Sequence, residues 1–170
     1  MSELDALLEA NRRFASGFDR GDLPIPPARK VAVLACMDAR LDPARFLGLD
    51  LGDAHIIRNA GGRATEDVIR SLILSSWLLG TREFAVVHHT GCGMLTFSNE
   101  EFRARLREET GADASGIDFL PFADLEESVR EDVQRIRSSP LMPGGVTVRG
   151  FVYDVGTGLL SEVEERQAAA

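Results

Sequence analysis

The sequence is sparing with the residues that most often carry chemistry. Its 170 residues include two cysteines and three histidines. It has no apolar run approaching the roughly eighteen residues of a membrane helix, so no membrane partner is expected. The opening "MSELDALLEANRRF" carries acids and lacks the apolar run of a signal peptide, which points to a cytoplasmic protein. Lysine and arginine together number 19 against 27 acids, a net charge of −8. No basic patch stands out, and nucleic acid is not an expected partner. The charge balance suits a neutral small-molecule substrate. Two cysteines allow at most one disulfide, and a cytosolic setting argues against it. Two readings remain: a pair of thiols packed like small hydrophobes, or a metal site.

What is present suffices for one domain. Hydrophobic residues make up 44% of the chain, enough for a single core over 1–170 and too little for two. Residues 2–17 read as an amphipathic helix with Leu4, Leu7, Leu8 and Phe14 toward one face. "GDLPIPPARK" cannot be helical and reads as an extended connection. "VAVLAC" (31–36), "AHIIRN" (54–59) and "EFAVVHH" (83–89) read as buried strands of a parallel sheet. "IDFLPF" (117–122) reads as a fourth strand. "TVRGFVYDVGTGLLSEV" reads as a strand, a turn and another strand. Helices are expected over "EDVIRSLILSSWLL", opened by Thr65 and ended by Gly80, over "EEFRARLREET" with Asn99 as cap, and over "LEESVREDVQRIRSS" with Asp124 as cap. The alternating acids and arginines of the last two read as solvated faces. The terminal "RQAAA" reads as frayed.

Strands alternating with helices predict an α/β domain, and sites in such sheets form at the carboxyl ends of strands. Cys36 closes the first strand. Asn59, Gly61 and Gly62 follow the second. His89 and Cys92 follow the third in "HHTGCGM". Three candidate segments thus share one sheet edge, a coincidence that packed cysteines do not require. "CMDAR" sets Cys36, Asp38 and Arg40 at alternate positions, which in an extended conformation face the same way. Met37 and Ala39 then belong to the core. Two thiolates and one imidazole form a three-ligand zinc set that leaves a fourth position open for catalysis. His88 reads as a packed histidine on the opposite face rather than a proton shuttle, and His55 as structural or surface. Trp77 and its leucines read as core or subunit interface.

C-x-D-x-R followed about fifty residues later by H-x-x-C, with "RNAGG" between them, resembles the signature of β-class carbonic anhydrases. The resemblance runs from the first helix to the last strand and is strongest to the compact bacterial branch, in which HHT-x-CGM also occurs. It implies a β-carbonic anhydrase-like α/β fold: a four-stranded parallel sheet core with an antiparallel edge strand, flanked by helices. It implies one Zn2+ per subunit held by Cys36, His89 and Cys92. It implies an Asp38–Arg40 dyad, in which Arg40 keeps Asp38 deprotonated and off the metal, and Asp38 becomes a fourth ligand in a closed state. Zinc makes hydroxide available near neutral pH, so the implied activity is reversible hydration of carbon dioxide to bicarbonate and a proton. Asn59, Gly61, Gly62, Gly91 and Gly93 are the implied substrate-binding positions, through backbone amides in the two site turns. A homodimer, or a tetramer of paired dimers, is implied, with residues 1–30 reaching across to the partner. Carbonyl sulfide hydrolase belongs to the same branch and keeps the same ligands, which makes it the alternative activity. A non-catalytic zinc or redox-sensing module comes last, since it gives Asp38 and Arg40 no purpose. The chain departs from many family members in having His88 where a glycine precedes the ligand histidine, and in lacking a glutamine near the site: Gln134 and Gln167 are its only glutamines.

Overall fold

The computed structural model describes residues 2–166; residues 167–170 of the expected frayed tail lie outside the described residues. Parallel strands β1 (Val31–Cys36), β2 (Ala54–Asn59), β3 (Glu83–His89) and β4 (Thr147–Tyr153) form a sheet, and β5 (Leu160–Glu162) runs antiparallel at its edge. The spatial order is β2-β1-β3-β4-β5, so β1 and β3 are central and their carboxyl ends lie side by side. The expected sheet composition holds.

The near-continuous apolar runs of β1 and β3 follow from burial on both faces. Ala32, Leu34, Phe84 and Val86 pack one face against α3 (Glu66–Leu79) and α5 (Leu125–Arg137), through Val68, Leu72, Val129, Val133 and Ile136. Val33, Ala35 and Val87 pack the other face against Phe46, Leu47 and Leu49, at and after the short α2 (Pro43–Phe46). Gly150 lets α5 lie close on β4: a Cβ there would stand 2.3 Å from Val129 Cγ1. Thr65 caps α3 at Val68 N, and Gly80 ends it in the left-handed conformation.

Four expectations change. "IDFLPF" is not a strand. Asp118 Oδ1 accepts from Leu120 N, Leu120 takes a positive φ of 56°, and Pro121 offers no amide, so the segment turns where a ladder would need extension. TVRGFVY fills the fourth parallel position in its place. The cap of α4 (Asn99–Thr110) is Ser98, in a reciprocal capping box with Glu101. Asn99 instead donates to Asp118 and accepts from Phe119 N, anchoring the same loop. Met37 and Ala39 are exposed, not core, because the chain leaves extended conformation after Cys36. The face of α5 is only partly solvated: Asp132 is buried.

Helix α1 (Glu3–Ala15) buries none of its residues. Leu4, Leu7, Leu8 and Phe14 project from the single chain, as do Trp77 and Leu78 of α3. Trp77 anchors only its nitrogen, donating to Leu141 O at 2.8 Å. Among the described residues, no helix is long and apolar enough to cross a membrane.

Candidate metal centre

The carboxyl ends of β1 and β3 bring Cys36, His89 and Cys92 together. One ligand atom from each lies within 4.8 Å of the others, and all three residues are buried. The Cys36 and Cys92 Sγ atoms are 4.0 Å apart, close to the ~3.8 Å edge of a tetrahedron with ~2.3 Å metal–sulfur bonds. His89 Nδ1 faces the Thr90 carbonyl at 3.0 Å. A carbonyl only accepts, so Nδ1 carries the proton and Nε2 presents its lone pair. That Nε2 is buried with no hydrogen-bond partner. An orphaned, inward-facing imidazole nitrogen beside two thiols fits a zinc ion and has no other evident purpose here.

The electrostatics agree. The hydrogen bond from Cys92 pulls the Cys36 thiol down to about 4, against the cost of burial, with help from His89 and the amides of Asp38 and Gly61. Cys92 moves up, because it donates to Cys36 and is buried. Burial pulls His89 down, but the nearby Cys36 sulfur and its charge outweigh it and the net shift is upward. The pair thus favours one thiolate over two, and a bound cation would favour ionisation of both.

Asp38 and Arg40 stand beside this trio. Arg40 Nε donates to Asp38 Oδ1 at 2.9 Å and Nη2 to Oδ2 at 2.7 Å, a two-point clamp. The Arg40 amide adds a third bond to Oδ1. These bonds, the side-chain pair first, hold the Asp38 carboxyl well below the usual carboxylate range. Arg40 Nη2 also reaches the Gly91 carbonyl at 3.0 Å, tying the two site turns together. Asp38 Oδ2 lies 3.7 Å from His89 Nε2. The convergence comes from a turn after Cys36 rather than from the extended alternation expected.

The other expected site residues take varied places. Asn59 braces the second turn, donating to Arg63 O and accepting from Arg63 N. Gly61 and Gly62 both have positive φ, and a Cβ on Gly62 would stand 2.9 Å from Cys36 N. Gly91 accepts from Arg40, and Gly93 accepts from Thr96 Oγ1. His88 is fully buried and bonds Ser128 Oγ and Gly62 O, away from the trio. His55 bonds Ser75 Oγ. Leu41 and Met94 are buried with the two cysteines, and Phe46, Phe97 and Phe122 pack against that group, so the surroundings of the trio are largely apolar.

Sequence reasoning missed two groups. Arg58 donates to the carbonyls of Cys36 and Asp38, at 3.0 and 2.7 Å, and so fixes the backbone that carries both. Its signal was its place in "RNAGG", directly before Asn59. Asp132 was hidden in a run that read as a solvated helix face.

A parallel sheet with two cysteines and a histidine at its carboxyl edge, and a clamped carboxylate beside them, defines a class of α/β enzymes built around a thiolate–imidazole metal centre. The family model described as carbonic anhydrase matches residues 31–160. The chain belongs to the β-carbonic anhydrase family, and it is an enzyme of that family. It is similar to β-carbonic anhydrase 1 of Mycobacterium tuberculosis, 48% identical over 96% of this chain and 99% of that one. A carbon disulfide hydrolase of Acidithiobacillus thiooxidans is 33% identical over 93% of this chain and 87% of its own. The solved carbonic anhydrase of Streptococcus mutans superposes with a TM-score of 0.93 at 50% identity, covering 96% of this chain and 99% of that one.

Proposed function

We propose that the chain catalyses reversible hydration of carbon dioxide to bicarbonate and a proton, at one zinc ion held by Cys36, His89 and Cys92. The orphaned Nε2 of His89 facing two buried thiols carries this reading. Zinc in this position supplies a Lewis acid that makes hydroxide available near neutral pH. Asp38, kept anionic by Arg40, accepts the hydrogen bond of the attacking oxygen and aims its lone pair at carbon. Arg40 occupies both Asp38 oxygens and so keeps the carboxylate from closing the site as a fourth ligand. Gly91 and Gly93 flank Cys92, where backbone amides suit the oxygens of the product. Asn59, Gly61 and Gly62 shape the opposite wall. The apolar side chains around the trio favour an uncharged substrate over its charged product, which assists release.

A relative named for hydrolysis of carbon disulfide, a sulfur analogue of carbon dioxide, supports a second reading on the same residues, attack on another such analogue: hydrolysis of carbonyl sulfide to carbon dioxide and hydrogen sulfide. Stopped-flow hydration of carbon dioxide by zinc-replete protein, between about pH 7 and 9, separates the two. Enzymatic rates that rise with pH support the first reading. Negligible hydration, with hydrogen sulfide released from carbonyl sulfide, replaces it with the second.

The unburied apolar face of α1 supports a homodimer in which residues 1–30 lie on the partner. Two thiols in ligand positions, unbridged in the chain, suit a reducing, cytoplasmic setting.

A further inference from the structure

Behind the metal centre lies a buried charged network that the proposed reaction does not use. Asp132, on α5, is 2% exposed. Its Oδ1 accepts from Ala64 N at 3.0 Å. Its Oδ2 stands 3.3 Å from Arg63 Nε and 3.2 Å from His88 Nε2. The same Nε2 lies 3.2 Å from the Gly62 carbonyl. Both of its neighbours are acceptors, which assigns the proton to Nε2. His88 Nδ1 meets Ser128 Oγ at 2.8 Å, so both ends of the imidazole are fixed to groups on α5. Phe122 stacks on the imidazole with ring centroids 5.4 Å apart, and the Arg63 guanidinium lies over the same ring.

All these contacts converge on one short segment, the turn from Gly61 to Ala64. On its other side that turn touches the metal centre. Gly62 packs so tightly on the Cys36 backbone that no Cβ fits: one would stand 2.9 Å from Cys36 N and 3.0 Å from Ala35 C. A buried carboxylate costs several kcal/mol unless paired and hydrogen-bonded. A second helix face of Val and Ile would close the same space without that cost. The cost is explained if the carboxylate sets something that an apolar contact cannot.

We propose that Asp132 is a positioning residue for the metal centre: through Ala64, Arg63 and His88 it fixes the Gly61–Gly62 turn, and so the Cys36 backbone on which Gly62 packs and the sulfur which that backbone carries. Groups that orient ligands in this way tune metal affinity and the electron density on the donor atom. The inference rests on the zinc reading above.

The test uses holoprotein loaded with cobalt(II), whose thiolate charge-transfer absorption reports on the ligand sulfurs, together with cobalt affinity by chelator competition. Asp132→Asn keeps the size and the acceptor for Ala64 but loses the charge. It is expected to shift the charge-transfer band and to weaken cobalt binding about 10- to 100-fold. A folded Asp132→Asn protein with the wild-type band and affinity, even at lower thermal stability, overturns the inference and leaves a purely structural anchor. Should Asp132→Asn not fold, Ser128→Ala removes the group on His88 Nδ1, together with a bond to Leu125 O, and is read the same way. A shifted band with weaker binding supports the proposal, and an unchanged band and affinity overturns it. Wild-type protein that binds no cobalt at one ion per chain defeats the zinc reading instead, so the two failures are distinct.

Discussion

Cys36 is where one side chain's surroundings say most. Its thiol is held near 4 by the hydrogen bond from Cys92, against ~8.5 for a free thiol. A lowered folded-state value adds stability that is fully present above the unfolded value and fades as pH falls through the folded one. For metal-free protein, the Cys36 contribution therefore grows between about pH 4 and 8.5. Cys92 and His89 move up, so their contributions oppose this toward higher pH. Titrating metal-free protein at the thiolate absorption near 240 nm should show one thiolate per chain already formed at pH 6, and none in Cys36→Ser. Two protonated thiols at pH 6 would refute the assigned environment. Arg40 gives a second expectation. Its side chain is half exposed, so the ion pair adds little to stability. Arg40→Ala should leave the melting temperature nearly unchanged and lower the hydration rate about 10- to 100-fold. An unchanged rate by stopped flow would remove the dyad from the reaction.

At the scale of elements, the decisive contact is α5 on β4. Gly150→Ala puts a methyl 2.3 Å from Val129 Cγ1 and 3.0 Å from Val133 Cγ2. The helix must shift, which typically costs 1–3 kcal/mol, so thermal unfolding of the variant should begin several degrees lower; an unchanged melting temperature would mean that α5 has slack there. The residues also show what a sequence can tell. Apolar runs reported β1 and β3, because burial on both faces leaves little other composition open to them; β2, expected as a buried strand, is an edge strand only partly buried, with Ile56 and Arg58 exposed. The ligand trio was legible because strand ends in a parallel sheet must meet at one edge. "IDFLPF" misled because its apolar residues pack from a loop, Ile117 exposed and Phe119, Leu120 and Phe122 half-buried, and loop packing has no period. Asp132 was invisible because buried and solvated carboxylates look alike until the partner strands are in place. Asp38 and Arg40 do pair beside the trio, but their meeting depends on a turn, not on the strand alternation expected.

For the whole molecule, the unburied leucines of α1 are the feature that a single chain leaves unexplained. Exposed apolar patches of this kind mark interaction surfaces, and a second copy of the chain is the proposed occupant. Leu7→Asp combined with Leu8→Asp should move the protein toward monomer in sedimentation velocity and lower its hydration activity. A stable dimer in that variant would place the interface elsewhere, with the exposed Trp77 and Leu78 as the next surface to change.

The neighbouring places of β1 and β3 also bear on how the chain reaches its native state. Two ligands come from β1 and from the turn after β3, about fifty residues apart, and they meet only after the chain has crossed over twice through β2 and α3. An ion that binds only the assembled trio stabilises the folded state by mass action, and that stabilisation falls on the pairing of β1 with β3, whose partner residues are far apart in the chain. Pairing of this non-local kind is slow. On the zinc reading, metal binding is expected late in folding. It acts as a bolt across the middle of the sheet, and the backbone amides of β1 and β3 should be the ones whose hydrogen exchange slows most when it is added.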